Sequence, residues 1–246
     1  MKSIPASISN HLLKAEHWLF LTGAGISAES GIPTYRDSST ALYGTASLKN
    51  LATPDAFRKN KQNVWDWYEE RRQNMRHCQP NAAHYAIAQL QQQVATVSVV
   101  TQNVDGLHQL AGSTNVHELH GNIFRNRCFS CNRPVPESIA PQVTIPRCTH
   151  CGGYARPDVV WFKERISSHT WKKVKKDIDQ CDVLIVVGTS GEVQPAATIP
   201  TLAHGKLIIV INPQPTAHDE LASWVIRSTA GDALPELLAI ALNRHS

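Results

Sequence analysis

The sequence predicts an α/β protein built on a doubly wound parallel sheet, with one small lobe inserted. Three observations support this. Short apolar runs recur along the 246 residues and end in Gly, Thr, Ser or Asn; patterns of helical period lie between several of them; and a proline-rich stretch with two CxxC pairs interrupts the series. Strands alternating with helices imply a parallel sheet covered on both faces.

Taken in order, Trp18 to Leu21, Val97 to Val100, Val183 to Val187, Leu207 to Ile211 and Trp224 to Ile226 read as buried strands. A strand covered on both faces needs no polar alternation. Helical periodicity covers Asn63 to Arg76 and Asn81 to Gln93, the second opened by the stop-and-cap pair Pro80-Asn81. Ligands of such sheets bind outside the carboxyl ends of the strands, where Gly23-Ala24-Gly25, Gln102-Asn103, Gly188-Thr189-Ser190 and Asn212 fall. The expectation is a discontinuous Rossmann-type domain, 1–120 and 158–246, with a lobe inserted over 121–157.

The length suits one large domain with one insertion. The longest apolar runs are far short of the roughly 20 residues that cross a bilayer, so no membrane segment is expected. Met1 to Trp18 lacks the continuous apolar stretch of a signal peptide. The net charge of +4 is mild, and the densest basic stretch, Trp171 to Lys176, reads as a solvated helix face, so nucleic acid is not an expected partner.

Cys128/Cys131 and Cys148/Cys151 are two pairs separated by roughly 15 to 20 residues, the spacing of a single tetrahedral zinc about 2.3 Å from each sulfur. A disulfide framework is the rival reading, but only Cys78 and Cys181 remain besides, and reduced thiols fit a cytoplasmic protein. With four cysteines as ligands, no place is left for water or substrate, so the metal is expected to hold the lobe and do no catalysis. Pro134, Pro136, Pro141 and Pro146 crowd the segment, which reads as irregular backbone pinned by metal.

The turn Thr22-Gly23-Ala24-Gly25-Ile26-Ser27 allows backbone amides to approach a pyrophosphate, but lacks the full GxGxxG spacing and is equally a plain turn. Gly188-Thr189-Ser190 adds hydroxyl donors at a second strand end, where small residues also simply stop strands. Asn103 and Asp105 suit an Asx-type turn. His120 is one of 12 histidines, and a lone histidine is more often structural. His117 and His120 lie three apart, so the HExxH metalloprotease spacing fails.

Together, Gly23 to Pro33, Thr101-Gln102-Asn103-Val104-Asp105, His120-Gly121, the cysteine pairs, Arg156-Pro157 and Val160-Trp161-Phe162 resemble the sirtuins over nearly the whole chain, from about Trp18 to Leu237. The resemblance implies NAD as a consumed cosubstrate, acyl-lysine in proteins or peptides as the other substrate, and nicotinamide, free lysine and acyl-ADP-ribose as products. It implies His120 as general base on the ribose hydroxyls, a task suited to an imidazole titrating near neutrality. Asn103 and Asp105 would orient ribose, nicotinamide or the attacking water, with Gln102 beside them. Gly23, Ala24, Gly25, Ser27, Ala28, Pro33, Thr34, Tyr35, Arg36, Gly188, Thr189 and Ser190 would line the cofactor site, and Asn212 and Ala230 its adenosine end. Residues 31–80 would supply the cofactor loop and a helical acyl-pocket segment, and Val160, Trp161 and Phe162 an edge for the substrate peptide.

Tyr68 and Arg71, three apart in a helix, match the Tyr-x-x-Arg pair of sirtuins that remove succinyl and malonyl groups; a buried acyl carboxylate needs a cationic fork and gains from a phenolic donor. Read without the family, Tyr68 is core and Arg71 pairs with a neighbouring glutamate. The chain departs from the family at Tyr35, usually phenylalanine, at Lys163, usually glycine, and at Gly191 to Pro195, usually more apolar. An ADP-ribosyltransferase and a noncatalytic, zinc-stapled NAD sensor are the competing functions.

Overall fold

The computed structural model describes residues 4–34, 50–94, 96–136 and 144–242. Six parallel strands make the main sheet: β1 (His17–Thr22), β2 (Thr96–Thr101), β3 (Val116–Glu118), β7 (Val183–Val187), β8 (Leu207–Ile211) and β9 (Trp224–Ile226). Their order is β3-β2-β1-β7-β8-β9. The chain therefore winds outward from β1 in one direction and from β7 in the other, and the reversal lies between these two strands, in register from Trp18 opposite Val183 to Thr22 opposite Val187. A doubly wound sheet opens its ligand crevice at such a switch point.

The strand faces alternate without exception in β1, β7 and β8. Trp18, Phe20, Val183, Ile185, Val187, Leu207, Ile209 and Ile211 point to one buried layer, closed by α1 (Ala6–Lys14), α4 (Ala82–Gln93) and α8 (Ala230–Leu242) through Leu12, Ile87, Leu90, Leu234 and Leu238. Leu19, Leu21, Leu184, Val186, Ile208 and Val210 point to the other, under Val174 and Ile178 of α6 (Ser168–Gln180) and Ile199 of α7 (Ile199–Leu202). Asn81 caps α4 as the sequence signals, its side chain accepting the Ala83 N–H at 3.0 Å. The edge strand β3 reads Val-His-Glu and gives no apolar run, so the pattern of buried strands passes over it.

The cysteine segment is more regular than the sequence predicts. It holds a three-stranded antiparallel sheet, β5-β4-β6, formed by β4 (Gly121–Cys128), β5 (Pro134–Val135) and β6 (Ala155–Val159). β4 carries Asn122, Arg125, Asn126 and Arg127, so it has no apolar run; an antiparallel strand with one wet face does not need one.

Two further helices, α2 (Pro54–Lys59) and α3 (Lys61–Arg76), pack against this lobe, and the short α5 (Leu107–Leu110) follows β2. Phe57 meets Phe129 at 5.0 Å and Trp161 at 5.4 Å, while Trp65 is fully buried beside Cys128 and Cys148. Arg72 is 2% exposed and crosses from α3 to β4: it pairs with Glu69, donates to the Ile123 carbonyl and reaches Asn126 Oδ1 at 2.6 Å. The buried face of α3, Val64, Trp65, Tyr68, Glu69, Arg72 and Met75, thus carries an ion pair inside an apolar stripe. Among the described residues no helix is long and apolar enough to cross a membrane.

Candidate active site

The ends of β1 and β7 are locked together at the switch point. The Gly23 N–H donates to the Val187 carbonyl at 3.0 Å and the Gly25 N–H to the Gly188 carbonyl at 2.8 Å. A Cβ on Gly23 would stand 2.7 Å from Gly188 O, and one on Gly25 2.6 Å from Gly188 Cα. Close contact between two backbone turns is therefore what requires glycine here. These two amides are spent on the neighbouring strand end; the sequence reads equally as a pyrophosphate approach or as a plain turn.

Around this joint the polar side chains form one network. Asn103 Nδ2 donates to the Gly23 carbonyl at 3.0 Å and to Ser27 Oγ at 3.1 Å; Ser27, fully buried, donates to Asp105 Oδ2 at 2.8 Å; and Asp105 Oδ1 accepts the Leu107 N–H at 2.9 Å. Burial pushes the Asp105 carboxyl above its ordinary value, opposed by the Leu107 and Ser27 hydrogen bonds. Gln102 Nε2 reaches Thr189 Oγ1 at 3.0 Å, Asn212 Nδ2 reaches the Thr189 carbonyl at 3.2 Å, and the Ser190 carbonyl accepts the Ala217 N–H. Residues from the ends of β1, β2, β7 and β8 thus converge, as the sequence predicts.

Ala28 is exposed, and Ala230 is buried in the first apolar layer at the start of α8, where Glu29 accepts the Gly231 N–H at 2.7 Å. Pro33 and Thr34 are half-buried beyond the glycine turn, while Tyr35 and Arg36 lie outside the described residues.

His120 lies in the two-residue turn between β3 and β4, directly before β4, and is half-buried. Its Nδ1 stands 2.9 Å from the Gln102 carbonyl oxygen, which can only accept, so Nδ1 carries the proton and Nε2 keeps a bare lone pair. Burial lowers the imidazole pKa below its ordinary value, partly opposed by that hydrogen bond. The His120 carbonyl accepts the Val160 N–H at 2.8 Å, which ties the histidine to the segment after β6. Gly121 is required here: its φ is +81°, and a Cβ would stand 2.1 Å from Asp158 O. His117 faces away from this site and pairs with Asp177 at 2.8 Å.

All three N–H groups of Val160, Trp161 and Phe162 are engaged, with the His120 carbonyl, Glu164 Oε2 and the Ala52 carbonyl respectively. A peptide laid along this edge would therefore find carbonyl acceptors and not a full strand ladder. Trp161 is fixed from several sides: Arg156 stacks over it with Cζ 3.3 Å from the ring centroid, and its Nε1–H donates to Tyr68 Oη at 2.9 Å. Arg156 in turn holds Glu164 through two guanidinium nitrogens, at 2.5 and 2.9 Å. Tyr68 is 5% exposed in the cluster with Phe57, Ile123 and Trp161. Arg71, three residues on, is half-buried with its guanidinium 4.7 Å from the Trp67 ring centroid.

The sulfurs of Cys128, Cys131, Cys148 and Cys151 all lie within 4.8 Å of one another. The Cys128–Cys151 and Cys131–Cys148 separations are 3.5 and 3.7 Å. A tetrahedron with zinc–sulfur bonds of about 2.3 Å has edges of about 3.8 Å, so the donor set fits one zinc ion. The two knuckles repeat: Asn132 and Gly152, each four residues after the first cysteine of its pair, are left-handed at φ 61° and 72°, and their N–H groups bond the Cys128 and Cys148 carbonyls.

The sequence reading does not single out the Glu69–Arg72 pair, the support of Glu164 beneath Trp161, or His84 and His108. These two histidines are buried at 0% and 1% exposure with ring centroids 4.9 Å apart, and His108 Nε2 lies 3.0 Å from Thr22 Oγ1 below the glycine turn. The usable signal for Arg72 is its place on the buried stripe of α3; the histidines carry none beyond the helix period.

Fold and cleft together define a class: a switch-point α/β domain whose polar strand ends meet a half-buried histidine, braced by a lobe that fits a metal ion. The Sir2 family profile matches residues 23–195. An NAD-dependent protein deacylase of Ralstonia nicotianae is 48% identical over 241 residues, 96% of each chain. A solved Sir2 homolog–NAD complex superposes with a TM-score of 0.92 at 38% identity, covering 99% of this chain and 96% of that one. A solved Sir2–p53 peptide–NAD+ complex gives 0.83 at 27% identity, covering 95% and 97%. The chain belongs to the Sir2 family.

Proposed function

We propose that the protein is an NAD-dependent protein lysine deacylase, which consumes NAD and acyl-lysine and yields nicotinamide, acyl-ADP-ribose and free lysine. Relatives of that name and neighbours holding NAD or a peptide support the reading. The observation that carries it is the Gln102 carbonyl 2.9 Å from His120 Nδ1, which assigns the ring proton of the neutral imidazole to Nδ1 and leaves Nε2 as its basic nitrogen. A base at a cleft that only binds would have no task. His120 accepts a proton from a ribose hydroxyl at Nε2, and its lowered pKa keeps it in the basic form at neutral pH.

Asn103 and Asp105, tied to each other through Ser27, orient the ribose and the water at this base. Gly23, Gly25, Thr189 and Ser190 border the phosphates and ribose, with Tyr35 and Arg36 on the cofactor loop and Asn212 toward the adenosine. The four cysteines hold zinc, which stays structural because no ligand place is open. The working compartment is the cytoplasm, where such thiols stay reduced.

The acyl group preferred is an acidic one. Arg71 supplies a cation partly removed from water on the same helix as Tyr68, and a buried carboxylate without such a partner costs several kcal/mol. Nicotinamide release is measured with one peptide in acetyl-, succinyl- and unmodified-lysine forms. The proposal predicts acyl-dependent release, fastest for succinyl, with Arg71→Met reducing the succinyl rate about tenfold or more and the acetyl rate far less. Release independent of any acyl group would favour ADP-ribosyl transfer, no release would favour the sensor, and equal losses in Arg71→Met would make Arg71 structural.

A further inference from the structure

Lys163 is one of two described non-glycine residues with positive φ, at 71°. It directly follows Phe162, which is 39% exposed, and so continues the segment that starts on the His120 carbonyl at Val160. Phe162 and Lys163 form a turn closed by the Glu164 N–H on the Trp161 carbonyl at 3.0 Å, and three residues span at most roughly 10 Å, so Lys163 is placed within reach of the two peptide residues that flank a lysine whose acyl group meets His120. Its side chain is 73% exposed and its Nζ lies 3.1 Å from Asp55 Oδ2. That carboxylate is shared: Arg58 Nη1 lies 2.8 Å from Asp55 Oδ1, with its guanidinium 5.5 Å from the Phe129 ring centroid. Two cations thus serve one carboxylate. The nearby Glu164 does not balance them, because it is turned inward onto Arg156 and the Trp161 amide. Among the described residues, the rim beside the Phe57, Phe129 and Trp161 aromatic cluster therefore carries one more cation than carboxylate in this group of Lys163, Arg58 and Asp55.

We propose that Lys163, with Arg58, is a specificity determinant that selects acyl-lysine peptides bearing an acidic residue within two positions of the modified lysine. The inference rests on the deacylase reading and deepens it. An exposed ion pair with the peptide changes affinity by about two- to fivefold, strengthens at low salt and acts on binding more than on chemistry. Asp55 competes with the peptide for Lys163, so its removal sharpens the selection.

The experiment compares acyl-peptides with Glu, Ala or Lys at the flanking positions, using wild type, Lys163→Gly and Asp55→Ala. Glycine suits the positive φ, so Lys163→Gly keeps the fold. Expected in wild type is a KM about two- to fivefold lower for the Glu than for the Lys peptide, with similar kcat; the ratio falls toward one in Lys163→Gly and at high salt, and rises in Asp55→Ala. A Glu-to-Lys ratio unchanged by Lys163→Gly overturns this inference and leaves the deacylase standing. No turnover of any acyl-peptide overturns both.

Discussion

The parallel sheet and the cysteine lobe are stabilised by different means, although both border the same cleft. In the sheet, alternate residues of each strand feed two apolar layers, and helices on both faces complete them. The lobe has a much smaller apolar cluster, Trp65, Cys128, Val135, Ile145, Cys148 and Ala155, in which two of the metal-binding cysteines are themselves core residues. It compensates with four converging sulfurs and with charged staples, Arg72 to β4 and Arg156 to Glu164. The sheet positions atoms by packing, and the lobe by coordination and buried polar contacts. His120 lies where the two meet, its ring bonded to the sheet's Gln102 and its backbone to Val160 beyond the lobe.

This contrast can be broken from the lobe side first. Removing zinc with a chelator withdraws a binding energy of order 10 kcal/mol from structural sites of this kind. Hydrogen exchange should then show protection lost across β4 to β6 while β1, β7 and β8 stay protected; simultaneous loss in both would mean the two regions are one unit. On the sheet side, Phe20→Ala empties a fully buried site and should cost about 3–5 kcal/mol in denaturant unfolding, with zinc content unchanged.

A smaller effect probes the staple. Arg72→Met alone leaves Glu69 buried and unpaired, for a loss of about 3 kcal/mol, whereas Glu69→Leu with Arg72→Met should recover most of it. Equal losses in the single and double variants would show that the hydrogen bonds to Ile123 and Asn126 matter more than the charge.

The effect of pH is graded, small near neutrality and growing as the pH falls. Burial drives His84 down to about 4 and His108 to about 3. Both stay neutral in the fold, while the unfolded chain takes up their protons near pH 6.5. The unfolded state then binds more protons, so stability falls as pH falls from about 6.5 toward 4, by about 1.4 kcal/mol per unit for each histidine. Unfolding followed across this window should show that slope, and His108→Gln should roughly halve it.

How much of this the sequence discloses follows the same division. Buried parallel strands are continuous apolar runs, so β1, β2, β7, β8 and β9 and the capped helix α4 are legible to within a residue or so. β3 and β4 are not, because a short edge strand and a half-wet antiparallel strand are written in His, Glu, Asn and Arg. At the cleft, the strand-end residues from Gly23 to Asn212 are visible as turn motifs, and their convergence follows from the topology. What the sequence leaves hidden is direction. Nothing in Gly23-Ala24-Gly25 says that two of its amides turn to β7, nor that the amides of Val160, Trp161 and Phe162 are already engaged. Arg72 and Glu164 are likewise ordinary surface letters until packing buries them.

The central claim is that His120 acts as the base of an NAD-dependent deacylation. The direct measurement is the ratio of deacylated peptide to nicotinamide formed, for wild type and His120→Ala, each with its zinc content verified. The account predicts one peptide per nicotinamide in wild type and a loss of deacylated peptide of about a hundredfold or more in the variant. Nicotinamide formed without deacylated peptide, or a His120→Ala enzyme that deacylates at the wild-type rate, would contradict it.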